Sequence, residues 1–72
     1  MTLAELTPGQ SGRIASVTGE PALVQRLYEL GLCDGDEVEV LAVAPLGDPI
    51  GVRGGGPRLS LRKSDAHGVI LE

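Results

Sequence analysis

A mainly β fold, a small and partly open barrel of about five short strands with one inserted α-helix, is what this sequence predicts. Three observations lead there. The chain has 72 residues, so it forms a single domain, residues 1–72, around one core. Its 11 glycines and 5 prolines recur often enough to act as turn punctuation between short strands. Pro21 to Leu30 alone carries apolar residues at helical spacing over more than two turns.

The elements follow in order along the chain. Leu3 and Leu6 have the spacing of one helical or 3₁₀ turn with Thr2 as its cap, and Pro8-Gly9 turns the chain into a strand from Gly12 to Val17. In the helix, Pro21 suits the first position, where its missing N–H costs nothing, and Leu23, Val24, Leu27 and Leu30 form one stripe for burial. Gly31 followed by Leu32 predicts a Schellman ending, with the glycine left-handed and the leucine folded back on the last turn. Asp34-Gly35 is the next turn. Glu37-Val38-Glu39-Val40 then alternates and Leu41-Ala42-Val43-Ala44 is apolar throughout, which predicts a strand half exposed at its start and buried at its end. Pro45-Leu46-Gly47-Asp48-Pro49 turns again. Ile50 and Val52 on one side of Gly54-Gly55-Gly56-Pro57, and Leu59 and Leu61 on the other, predict a hairpin. Lys63-Ser64-Asp65-Ala66 reads as a 3₁₀ turn and Gly68 to Leu71 as the last strand. Curling five such strands together hides most of their edges, and the expected architecture is an SH3-like barrel.

Composition narrows the function. Apolar residues make up 42% and charged residues 22% of the chain, the balance of a folded protein. Tyr28 is the one aromatic residue, so the core is aliphatic. A net charge of −4 repels phosphate backbones, and no nucleic-acid partner is expected. No apolar run approaches the roughly 20 residues that cross a bilayer, so direct membrane insertion is not expected either. Met1 to Glu5 lacks the basic start and apolar stretch of a signal peptide; the expected location is the cytoplasm, where Cys33 stays reduced. One cysteine excludes an internal disulfide.

Three stretches, Arg26-Leu27-Tyr28-Glu29-Leu30-Gly31-Leu32, Pro45-Leu46-Gly47-Asp48-Pro49-Ile50 and Leu59-Ser60-Leu61-Arg62-Lys63 leading to Ala66, resemble the FeoA family over nearly the whole chain from Leu3 onward. Members usually place a proline where Cys33 stands, which makes the turn after the helix less rigid here. The resemblance implies an SH3-like barrel and a cytoplasmic accessory protein of bacterial ferrous-iron uptake, acting by protein–protein interaction with the cytoplasmic region of the FeoB transporter. Similar SH3-like domains end some iron-dependent repressors, so a detached regulatory domain of that kind is the alternative.

The residues themselves suggest where a partner would sit. Burying the helical stripe leaves Gln25 and Glu29 opposite it and Arg26 and Tyr28 on the flanks, and Tyr and Arg are side chains that interfaces favour. These four are the candidate protein-binding residues. The structural reading of the same pair has Tyr28 capping the barrel edge and Arg26 pairing with a nearby carboxylate. An influence on GTP hydrolysis travels with the resemblance, with Arg26, Arg53, Arg58 and Arg62 as the available fingers. Gly54-Gly55-Gly56 lacks the Lys-Ser/Thr ending and the following helix of a phosphate loop, and is a hairpin turn. The ferrous-iron uptake that the resemblance implies raises transition-metal binding, for which Cys33, Asp34, Asp36, Asp48, Asp65 and His67 are the available ligands. They form no close-spaced set, so neither a metal site nor a cofactor is expected. No nucleophile, base and orienting partner stand together, and an enzyme is not expected. Nor does one aromatic residue line a proline-peptide groove. An open edge on so small a barrel is a route to weak pairing with a second copy.

Overall fold

The computed structural model describes every residue from Met1 to Glu72. A 3₁₀ turn at Leu3–Glu5 precedes β1 (Ser11–Val17), α1 (Pro21–Glu29), β2 (Glu37–Val43), β3 (Ile50–Arg53), β4 (Arg58–Leu61), α2 (Lys63–Ala66) and β5 (Val69–Leu71). The five strands form one antiparallel sheet in the order β4-β3-β2-β1-β5. The first half of β1, Ser11 to Arg13, pairs with β2, and its second half, Ile14 to Val17, pairs with β5. A bulge between Ile14 and Ser16 bends the strand where it changes partner, and a second between Val40 and Ala42 bends β2. These bends curl the sheet around a core of 14 side chains drawn from every element, with no buried polar or charged residue among them.

The helix ends as its sequence predicts. Gly31 has a φ of 95°, the N–H of Leu32 donates to the carbonyl of Leu27 at 2.9 Å, and the N–H of Gly31 donates to Tyr28 at 3.1 Å. Those two bonds define the Schellman motif, and they swing Leu32 into complete burial. The stripe is shallower than expected. Leu27 is fully buried, whereas Leu23, Val24 and Leu30 are half-buried, because a short helix seated on the rim of a curved sheet aims one residue at the centre.

Two further expectations are corrected. In β2 the buried side chains are Val38 and Val40, while Leu41, Ala42 and Val43 are half-buried. The cause is pairing: β1 accompanies β2 only along Glu37 to Glu39, and past the bulge β2 has β3 as its one strand neighbour. The segment from Lys63 to Ala66 is an α-turn rather than a 3₁₀ turn, since Ala66 N–H donates to Arg62 and His67 N–H to Lys63, both four residues back. The carboxylate of Asp48, on the β2–β3 loop, accepts the Lys63 N–H at 3.0 Å and holds the start of that turn. At the other end of the chain, Glu5 reaches back to accept the N–H of Thr2 at 3.2 Å. The Gly54–Pro57 loop closes the β3–β4 hairpin between the paired Arg53 and Arg58.

A core of this size leaves a margin of about 3–5 kcal/mol. Leu27→Ala is therefore expected to lose about 2–5 kcal/mol and leave the chain largely unfolded, whereas Leu23→Ala costs clearly less; urea denaturation followed by circular dichroism compares them. Gly68 accepts both the backbone N–H and the hydroxyl of Thr18, at 2.7 and 3.0 Å, and a Cβ there would collide with the Thr18 carbonyl oxygen. Gly68→Ala is expected to cost about 1–3 kcal/mol and lower the thermal midpoint, with no loss of helix α1.

Candidate functional site

The exposed face of α1 presents the four residues the sequence singles out. Gln25, Arg26, Tyr28 and Glu29 are all exposed, two on each side of the buried Leu27. The Schellman turn reverses the chain so that Asp34, on the next turn, lies beside the helix, and the Tyr28 hydroxyl donates to its Oδ1 at 3.1 Å. The acceptor bond to Asp34, together with its negative charge, raises the phenol pKa above the ordinary tyrosine value. Tyr28 keeps this hydrogen bond while 40% exposed. Arg26 Nη2 lies 3.9 Å from Asp65 Oδ2 on α2, a long and solvated ion pair that contributes little to stability. The structural reading of these two side chains and the interface reading describe the same surface: each lies beside a carboxylate, and both still face solvent.

Beside this face runs an open groove of about 570 Å³ between α1 and α2, lined by Glu20, Ala22, Leu23, Arg26, Arg62 and Asp65. The sequence reading missed it. Arg62 and Asp65 come from the far end of the chain, and only the α-turn at Lys63–Ala66 brings them opposite α1. A smaller hollow of about 310 Å³ lies at the loop end of the β3–β4 hairpin, where Glu39 pairs with Arg53 at 3.5 Å beside Asp36 and Glu37.

The other potential ligands lie apart. No three His, Cys, Asp or Glu side chains come together. Cys33 is half-buried and engaged locally: its N–H donates to Asp36 Oδ2 at 3.3 Å and its thiol to the Tyr28 carbonyl at 3.7 Å. Asp48 is occupied with α2, and His67 is exposed at the end of that turn. The arrangement exposes charge and hydrogen-bonding groups on the α1 face.

The FeoA domain family model matches residues 1–72. A fusion protein of Porphyromonas gingivalis, named as Fe(2+) transport protein A joined to the Fe(2+) transporter FeoB, is 35% identical over the whole of this chain, which spans 8% of the length of that relative. Among solved structures, the FeoA protein of Chlorobium tepidum superposes with a TM-score of 0.93 at 43% identity, over 100% of this chain and 69% of that one. The FeoA of Stenotrophomonas maltophilia, solved with zinc and described as a procaryotic SH3 domain protein, gives 0.86 at 38% identity, over 100% and 89%. A manganese-dependent transcriptional repressor shares the fold alone, with a TM-score of 0.88 at 18% identity over 99% of this chain and 39% of its own. With the family's pattern running from the first residue to the last and the same SH3-like barrel beneath it, the chain belongs to the FeoA domain family.

Proposed function

We propose that this protein is a cytoplasmic accessory of ferrous-iron uptake that works by docking on the cytoplasmic region of an FeoB transporter, and that Gln25, Arg26, Tyr28 and Glu29 form the contact. One observation carries the reading: in the Porphyromonas gingivalis relative, a domain 35% identical to this chain is covalently joined to FeoB. Fusion places two partners at a high effective concentration, and a related domain that is not so joined would have to reach the same surface by affinity. No helix of the chain is long and apolar enough to cross a membrane, so contact with a transporter would be made outside the bilayer.

The α1 face suits that task. Its aromatic side chain is hydrogen-bonded to Asp34, which lowers the rotamer freedom lost on binding, while the helix beneath is anchored through the buried Leu27. The surface carries no catalytic grouping, and its action would be to bind. The alternative, a regulatory domain detached from a repressor, rests on likeness of fold at 18% identity.

Tyr28→Ala and Arg26→Glu are each expected to weaken co-purification with the FeoB cytoplasmic region about tenfold or more without altering the circular dichroism spectrum. Retention of full binding by both folded variants would remove the α1 face. The tether is testable separately, because Tyr28 is the sole tyrosine and the chain has no tryptophan. Its folded pKa is raised, so the contribution of the Tyr28–Asp34 bond is fully present below about pH 10 and is lost as pH rises through the folded value. Ultraviolet titration of the phenol should give a midpoint above about 10, and Asp34→Asn should bring it down.

A further inference from the structure

The sheet has two outer strands, and they differ. The outer edge of β5 is covered by the chain itself: Leu71 N–H donates to the Met1 carbonyl at 2.8 Å, and Thr2 bridges to Ile70. The outer edge of β4 is open, since its backbone makes no hydrogen bond outside its pairing with β3. Which groups are free follows from the alternation of an antiparallel ladder. Ala44 N–H donates to the Pro49 carbonyl at 3.1 Å, so Gly51, two residues on, points its backbone groups at β2, and Ile50 and Val52 point theirs at β4. Their partners Leu61 and Leu59 are thereby satisfied, and the N–H and C=O of Arg58 and Ser60 face outward. Arg58 and Ser60 are exposed, and Leu61 is 2% exposed, as this assignment requires. The N–H of Arg62 continues the free row.

The side chains along this edge are sorted as sharply as the backbone. Leu59 and Leu61 face the core, Leu59 only half-buried, while Arg58, Ser60 and Arg62 occupy the alternate positions and are exposed. Arg58, Arg62 and Lys63 take part in no ion pair, and they are half of the six cationic side chains in a protein of net charge −4. No acidic residue lies between Arg58 and Lys63 in sequence.

We infer that the β4 edge is a strand-addition site for an extended acidic segment of another protein, one that alternates acidic and apolar residues. The free N–H and C=O groups would extend the sheet, and apolar residues of the incoming strand would cover the half-exposed Leu59. Its carboxylates would lie on the outer face beside Arg58 and Arg62, whose Cα atoms are about 13 Å apart along the strand. The protein already contains one such pairing: Glu39-Val40 of β2 lies against Arg53 and Val52 of β3, with the Glu39 carboxylate 3.5 Å from the Arg53 guanidinium. A second copy of this chain lacks the complementary charge, since its own edge carries the same arginines. Antiparallel self-pairing centred on Ser60 would set Arg58 of each copy directly against Arg62 of the other, and like charges so placed are destabilising. The site shares no residue with the exposed α1 face, so it stands or falls separately from docking there.

The test adds an acetylated, amidated peptide of alternating glutamate and valine to the ¹⁵N-labelled full chain and follows the backbone amides. Expected are shifts and slowed hydrogen exchange at Arg58, Ser60 and Arg62. Binding should weaken with added salt and fall about tenfold in the folded double variant Arg58→Gln/Arg62→Gln. A peptide with lysine for glutamate, or one N-methylated at alternate residues, should not bind. The inference is overturned if millimolar peptide shifts none of these amides, if the shifts fall on α1, if the lysine peptide binds equally well, or if light scattering shows the chain alone dimerising through this edge.

Discussion

Strand β1 serves two neighbours in succession, and the rest of the molecule is arranged around that division. Its first three residues belong to β2 and its last four to β5, so the strand must turn as it passes from one to the other. At the changeover Ile14 donates its N–H to Asp36 at 2.8 Å and accepts from Gly35 at 2.7 Å, while the Arg13 guanidinium donates to the Gly35 carbonyl at 2.9 Å. The loop that follows the helix is thereby stitched to the bend in β1. The position of α1 on the rim and the place of Asp34 beside Tyr28 both follow from it. With no buried charge and no disulfide, the close fit of aliphatic side chains and this backbone stitching are what hold the barrel together.

That design separates support from display. Leu27 and Leu32 anchor α1 from below, and the bond from Leu32 to the Leu27 carbonyl locks one to the other. The exposed side of the helix is then free to vary in chemistry without loosening the core. The β4 edge has the same division, with Leu61 inward and Arg58 and Ser60 outward, though there the exposed groups include the backbone itself. Two surfaces of different chemistry, one of side chains and one that includes exposed backbone, thus rest on one small framework.

Much of the framework was legible in the sequence because its signals are local. Gly31-Leu32 after a helical stripe specifies a Schellman ending, and the glycine run between two alternating segments specifies a hairpin. The four exposed residues of α1 followed from periodicity alone. What escaped was set by distant partners. Leu41 to Val43 reads as buried by composition, yet their exposure depends on where β1 stops accompanying β2. The turn at Lys63–Ala66 is α-helical with Asp48, 15 residues earlier, holding its first N–H. The α1–α2 groove and the tether from Tyr28 to Asp34 are equally products of folding back. Periodicity describes one element at a time, whereas these features need two.

The pairing of Met1 and Thr2 with the end of β5 has a consequence for architecture on a larger scale. It brings the beginning and the end of the barrel out side by side, and the N-terminal contribution is made through the Met1 carbonyl, which does not depend on a free amino group. A domain whose ends emerge together can be carried at one point of a longer polypeptide without spanning a gap or stretching a linker. Appending it to a host, or interrupting a host loop with it, therefore places little strain on either fold.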